Sequence, residues 1–177
     1  EDDYDSEFRF SGKPIPPIAG MEGKRVIYMN TFSKSLSSTI RISYMVLPIP
    51  LMVRYNHILS FYACTVSNFD QYTLTRFIQE GYLEKHINRM RKFYRNSRDR
   101  ILGCIRSHRL YPQVTIKEEN AGLHFLMEID TSYTDREMVD RAAAAGINIS
   151  SLSQYCHGKE QEDSHTLVIN YSGIEED

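Results

Sequence analysis

The chain has 177 residues, 41% hydrophobic and 25% charged, with a net charge of −2; these are ordinary values for a globular protein with one or two cores, and no overall basic character points to nucleic acid. Its three cysteines, Cys64, Cys104 and Cys156, are widely spaced without a CxxC pair, which argues against a zinc site or a disulfide framework and for reduced thiols. No apolar run approaches the roughly 20 residues of a membrane-spanning helix, and no signal peptide precedes the first strand, so a cytoplasmic protein without a membrane or metal site is expected.

Both ends are abrupt. The chain starts at Glu1, without a Met, with five acids in its first seven residues, and it ends in Ile-Glu-Glu-Asp177. Acids suit the first turn of a helix, so the expectation is an excised fragment whose last helix is cut short. Residues 1–8 read as a strand end and a polar loop. Gly12-Lys-Pro-Ile-Pro-Pro17 is a turn-rich connector, because proline cannot feed a helix interior. Strands are predicted at about 25–29 and 42–47, then a helix at about 50–61 after Pro48 and Pro50. Ser67-Asn-Phe-Asp70 opens a helix to about Glu80, and Gly81 breaks it. A long amphipathic helix follows over 82–108, with Leu83, Ile87, Met90, Tyr94, Ile101 and Ile105 in one stripe.

After Pro112 the period changes. Val114–Lys117 and Leu123–Ile129 alternate as antiparallel strands. Thr134-Asp-Arg-Glu137 reads as a capping box for a helix to Ala145, closed by Gly146. Ile147-Asn-Ile149 and Thr166–Asn170 are the last strands, separated by a polar loop from Gln154 to Ser164. The fold class is α/β, with residues 1–80 as one domain and 81–177 as a smaller C-terminal α/β domain.

Thr31-Phe-Ser-Lys34, followed by Arg41, stands between two apolar strand-like runs. That places Lys34 at the end of a buried strand, among hydroxyls and near a second cation. Burial and a neighbouring cation both disfavour an ammonium, and a free amine forms Schiff bases with aldehydes. Thr31, Ser33 and Arg41 are suited to a phosphate, the arginine fork more so than a lone ammonium. This combination is what pyridoxal phosphate requires. The plain alternative is a solvated loop lysine. Asp2, Asp3 and Asp5 read in the same plain way as an acidic turn, with Tyr4 a packed aromatic.

The surrounding words carry a resemblance. Glu1-Asp-Asp-Tyr-Asp-Ser-Glu-Phe-Arg9, Tyr28-Met-Asn-Thr-Phe-Ser-Lys-Ser-Leu36, Arg41-Ile-Ser-Tyr-Met-Val-Leu-Pro48, Ser67-Asn-Phe-Asp-Gln-Tyr-Thr-Leu74, Asn120-Ala-Gly-Leu-His-Phe125 and Asn170-Tyr-Ser-Gly-Ile174 resemble, in order, the aminotransferase-like part of MocR regulators. These are GntR-class transcription factors that fuse a winged-helix DNA-binding domain to a fold-type-I aminotransferase-like domain binding pyridoxal phosphate. The resemblance implies the end of that large domain plus the small α/β domain. It implies Lys34 as the residue that holds the cofactor as an aldimine, and Arg41, Thr31 and, more weakly, Ser33 at the phosphate. Asp2 falls at the pyridine nitrogen and Tyr4 near the ring O3′; Asp3 is the rival of Asp2, because neighbours on a strand face opposite ways. It further implies a homodimer, with Ser67 to Tyr72 near the partner's site, DNA binding through a domain outside this chain, and pyridoxal phosphate or an amine or amino acid as effector. Where aminotransferases and the GABA-responsive branch carry a late arginine clamp for a carboxylate, Gly173 stands, so the branch sensing vitamin B6 is favoured. The other reading is a genuine fold-type-I aminotransferase, with Lys34 as its general acid/base. The family's phosphate-cradling turn and ring-stacking aromatic lie outside this segment, so weak or absent cofactor binding is expected of the chain alone.

Two other features compete. Residues 84–109 hold nine Lys or Arg against Glu84 and Asp99; the pattern reads as a solvated helix face, with a nucleic-acid face or a contact with the DNA-binding domain as the sharper alternative. Cys156 and His157 are adjacent in a polar loop without the spacing of a nucleophile pair, and His124 reads as a core or subunit-contact residue.

Overall fold

A computed structural model describes residues 1–3, 5–12, 15–156 and 163–173. The chain divides into two compact units, Glu1–Glu7 with Gly12–Arg91 and Phe8–Ser11 with Lys92–Asp177. The elements in order are α1 (Ile18–Met21), β1 (Tyr28–Thr31), α2 (Phe32–Ser35), β2 (Ser43–Val46), α3 (Ile49–Leu59), α4 (Asn68–Gln79), α5 (Tyr82–Ser107), β3 (Val114–Lys117), β4 (His124–Ile129), α6 (Asp135–Ala144), β5 (Ser150–Ser151) and β6 (Thr166–Asn170).

In the first unit β1 and β2 form an antiparallel pair, with Tyr28 opposite Val46 and Thr31 opposite Ser43. The expected first strand lies later than its apolar run suggests. Arg25 is held in a turn by its N–H to the Glu22 carbonyl, and β1 starts at Tyr28, where its pairing with Val46 of β2 starts. Every residue of β2 is exposed, and α3 has no buried residue. The Ser67 hydroxyl caps α4 by accepting from the Asp70 N–H at 3.1 Å. Gly81 then takes φ +72, a conformation that frees the chain to turn into α5.

The second unit is built on a four-stranded antiparallel sheet in the order β3-β4-β6-β5. Its core holds Phe8, Phe125 and Tyr171, each no more than 1% exposed, with Leu102 and Leu167. Tyr171 stacks on Phe125 and donates its hydroxyl to the Gly122 carbonyl at 2.5 Å, so a buried phenol is satisfied rather than stranded. Thr134 and Glu137 form the capping box of α6.

The strand expected at Ile147–Ile149 is found instead at Ser150–Ser151. The Gly146 N–H donates to the Ala143 carbonyl and the Ile147 N–H to the Ala142 carbonyl. Together these make a Schellman closure of α6, so the Ile147 amide serves the helix and Ile147 is left exposed. Among the described residues no helix is long and apolar enough to cross a membrane.

Candidate functional site

The site is built on the hydrogen bonding of β1. Asp2 pairs with Met29 in a parallel bridge, with the Asp3 N–H donating to the Met29 carbonyl at 2.9 Å. Paired residues share a face and neighbours alternate. Asp2, Met29 and Thr31 therefore lie on one face with Ser43 and Met45 of β2, while Asp3, Tyr28, Asn30 and Tyr44 share the other. The Tyr28 hydroxyl accordingly donates to Asp3 Oδ2 at 3.0 Å.

At the end of β1 the chain turns into α2. Thr31 is its N-cap: Oγ1 accepts from the Ser33 N–H at 3.1 Å and donates to the Ile42 carbonyl at 3.2 Å. The Phe32 N–H also reaches the Ile42 carbonyl. This one-turn helix carries Lys34 in its next-to-last position. The side chain is exposed, so the expected burial of Lys34 at a strand end is not found; β2 on that side is itself open to solvent. Arg41, the residue before buried Ile42, has φ 49. That left-handed conformation costs a non-glycine residue about 1–2 kcal/mol and is characteristic of residues aimed by their surroundings.

A cleft of about 590 Å³ is lined by Asp2, Thr31, Ser33, Lys34 and Arg41, with Met29, Asn30, Ser43, Tyr44 and Met45 completing its wall. Five of the six residues singled out from the sequence thus share one cleft. The sixth, Tyr4, lies outside the described residues. Asp3 is not part of the lining. Two cations, four hydroxyls and one carboxylate line it, an arrangement suited to a ligand with an anionic group and a separate polarised nitrogen or carbonyl. Sequence reasoning missed Asn30, Ser43 and Tyr44. The strand register that brings them in is a long-range property, and only the presence of an asparagine between apolar strand residues hinted at Asn30.

Behind the first face lies a polar layer. Asn30 is 5% exposed. Its Nδ2 donates to Tyr28 Oη at 3.0 Å and to Glu7 Oε1 at 3.4 Å. Burial pushes the Tyr28 phenol up to about 12; the Asn30 hydrogen bond opposes this and the Asp3 carboxylate adds to it. Burial also raises the Tyr44 phenol and the Glu7 carboxyl, and Glu7 Oε2 is buried without a hydrogen-bond partner among the described residues.

Of the basic residues of α5, Arg91 and Arg98 are drawn into the protein, while Lys85, Arg89, Lys92, Arg95, Arg100 and Arg106 stay exposed, as a solvated helix face would be. Arg98 is 8% exposed, bonds the Glu119 carbonyl at 2.7 Å and lies over the Phe10 ring. Arg91 donates to the Glu7 carbonyl at 2.9 Å, and Arg106 pairs with Glu119 at 2.7 Å. Cys64, Cys104 and Cys156 are exposed, and His157 lies outside the described residues.

No protein-family profile matches the chain. It is 42% identical over 178 residues to an uncharacterised HTH-type transcriptional regulator of Bacillus subtilis, YdeL, matching 99% of this chain and 38% of the relative. It is 35% identical over 177 residues to the probable rhizopine catabolism regulatory protein MocR of Rhizobium meliloti, with 99% and 35% covered. To the pyridoxine biosynthesis transcriptional regulator PdxR of Corynebacterium glutamicum it is 26% identical, with 100% and 38% covered. The chain therefore spans little more than a third of the length of these relatives. Among solved structures, the kynurenine aminotransferase of Pyrococcus horikoshii superposes with a TM-score of 0.78 at 27% identity, over 98% of this chain and 43% of that one. The sequence is homologous to the aminotransferase-like part of MocR- and PdxR-type regulators, and the fold is that of fold-type-I aminotransferases.

Proposed function

We propose that this chain is the C-terminal part of the aminotransferase-like effector domain of a MocR-type regulator, and that its cleft binds pyridoxal phosphate in the intact protein. The observation that carries the reading is the convergence of Asp2, Thr31, Ser33, Lys34 and Arg41 on one cleft. Identity to HTH-type regulators over nearly the whole chain supports it.

The donor set fits the group. Arg41, Ser33 and Thr31 would hold the phosphate; the Thr31 hydroxyl would exchange its 3.2 Å bond to the Ile42 carbonyl for that contact. Asp2, on the cleft face of the sheet, would stand against the pyridine nitrogen and keep it protonated, a part its face supports over Asp3. Tyr4 would sit near O3′. Lys34 would supply the amine that bonds the cofactor's aldehyde. When bound, the group supplies an electrophilic carbon and an electron sink. What the chain contributes is position, charge complementarity and a proton-accepting amine at Lys34. The phosphate-cradling turn and the aromatic that covers the ring belong to the preceding part of the family's domain, so we expect this chain alone to hold the group weakly.

In this reading residues 1–80 end the large cofactor-binding domain and 81–177 form the small one. The protein is cytoplasmic and dimeric; Phe69 and Tyr72, 79% and 76% exposed in α4, are the surface we assign to the neighbourhood of the partner's site. A winged-helix domain outside this chain binds DNA, and occupancy of the cleft by pyridoxal phosphate, or by an amine or amino acid acting on it, biases the arrangement of the domains. Gly173 in place of a carboxylate clamp supports the branch in which the cofactor itself is the signal.

The second reading is an aminotransferase, favoured by the kinship with a kynurenine aminotransferase. One experiment separates the two: DNA binding by the full-length gene product with and without pyridoxal phosphate, beside assays with amino donors. A regulator shifts its DNA affinity with the cofactor and gives no sustained turnover. Turnover without any DNA binding would establish the enzyme instead.

A further inference from the structure

We propose that Asn30 is a positioning residue of this cleft: it fixes the turn carrying Thr31, Ser33 and Lys34 against the segment carrying Asp2. The inference rests on the reading of the cleft given above and adds a wall residue that acts through Thr31.

The parallel ladder between the N-terminal segment and β1 is interrupted. The Met29 N–H donates to the Glu1 carbonyl and the Asp3 N–H to the Met29 carbonyl, each at 2.9 Å. The next rung of a parallel ladder would run from the Thr31 N–H to the Asp3 carbonyl. The Thr31 N–H instead donates to Asn30 Oδ1 at 2.5 Å. The asparagine side chain therefore ends the ladder by replacing a backbone acceptor, as short polar side chains do where they compete with secondary structure.

The other end of the same amide reaches the departing segment. Asn30 Nδ2 donates to Glu7 Oε1 at 3.4 Å and to Tyr28 Oη at 3.0 Å, and Tyr28 in turn donates to Asp3 at 3.0 Å. One continuous hydrogen-bonded path thus runs from Asp3 and Glu7 through Tyr28 and Asn30 to Thr31, whose hydroxyl caps the helix of Lys34. An amide buried to 5% exposure uses both donors and its acceptor, the condition under which a buried polar network specifies one geometry.

The test uses the full-length gene product, the chain that includes these 177 residues, in two measurements. In the first, amide exchange is followed at Thr31 and Ser33, with Met127, paired with Leu167 inside the sheet, as the reference. Asn30→Ala should speed exchange at Thr31 and Ser33 about tenfold, the loss of roughly one hydrogen bond, and leave Met127 unchanged. In the second, the chain is incubated with pyridoxal phosphate, reduced with borohydride and mapped by peptide mass, with Lys117 as the internal reference. Asn30→Ala and Asn30→Asp should each lower Lys34 labelling relative to Lys117 about tenfold. Asn30→Asp keeps the acceptor for Thr31 but sets a carboxylate against Glu7 and Asp3. Adding Glu7→Gln restores a donor–acceptor pair with the roles exchanged and should bring labelling back to near the unsubstituted level, a rescue that general loosening of the fold does not give.

Unchanged exchange in Asn30→Ala, or failure of Glu7→Gln to restore Asn30→Asp, overturns the proposal. If Lys34 in the unsubstituted chain is labelled no faster than Lys117, the assignment of Lys34 falls separately, and the exchange result alone decides the role of Asn30.

Discussion

Removing the charge of Asp135 should destabilise the second unit by about 3 kcal/mol, and the deficit should shrink in acid. Asp135 is 4% exposed at the start of α6. Its Oδ2 accepts from the Ser164 N–H at 3.1 Å and the Ser164 hydroxyl at 2.9 Å, and its Oδ1 from the His165 N–H at 2.8 Å. Burial acts to raise this carboxyl, but hydrogen bonds from Ser153, Ser164 and His165 outweigh it and hold the group below the usual carboxylate range. Hydrogen bonds to a charged acceptor contribute about 1.5–3 kcal/mol each and do not sum fully when they share it. Asp135→Asn keeps the shape, removes the charge and turns an amide NH2 toward donors, which gives the figure of about 3 kcal/mol. Because the folded carboxyl is depressed, its contribution is fully present above the unfolded value of about 3.9 and is lost as pH falls through the lower folded value. Urea unfolding of both proteins at neutral pH and near pH 3 tests this. A deficit under about 0.5 kcal/mol at neutral pH, or one that does not shrink in acid, would refute the reasoning.

Further outcomes follow from other positions. Tyr28, pushed up to about 12 by burial, should be missing from the phenolate absorbance that develops near pH 10, so Tyr28→Phe should remove amplitude only at the alkaline end. A raised phenol contributes stability below its unfolded value, lost as pH rises through the folded one, so Tyr28→Phe should also blunt alkaline unfolding. Gly146→Ala should cost about 1 kcal/mol through backbone strain alone, since Gly146 has φ +79 and an added Cβ meets nothing within 4 Å; thermal melting reads it. Gly173→Arg should change stability by less than about 0.5 kcal/mol, because Gly173 also has open space and no positive φ. A large loss there would mean the position is constrained by something other than space.

Local signals were legible wherever one residue type satisfied one backbone need. Ser67 and Thr134 carry hydroxyls that accept helix N–H groups, and Gly81 and Gly146 take the left-handed conformation that ends helices. The lysine, hydroxyls and arginine of the cleft were legible because they are close in sequence. Partner choice was not. The apolar run at Val26 and Ile27 promised an earlier strand, but pairing with β2 starts only at Tyr28. Ile147 and Ile149 promised a strand, but the closure of α6 takes the Ile147 amide. Lys34 was expected under cover, yet it sits on a single helical turn that no local pattern announced. Arg98 read as one charge of a solvated face and is buried over Phe10, because neighbours supplied by residues 8–11 and 119 are invisible to a helical period.

The central claim is that Lys34 anchors pyridoxal phosphate. It is tested most directly by the visible absorbance of the full-length gene product after loading with pyridoxal phosphate and exhaustive dialysis, beside its Lys34→Ala variant. The account predicts a Schiff-base band that survives dialysis in the first and is absent from the second, and only a weak band that dialysis removes in the 177-residue chain. A band that persists unchanged in Lys34→Ala, or no band in the full-length protein, would contradict it.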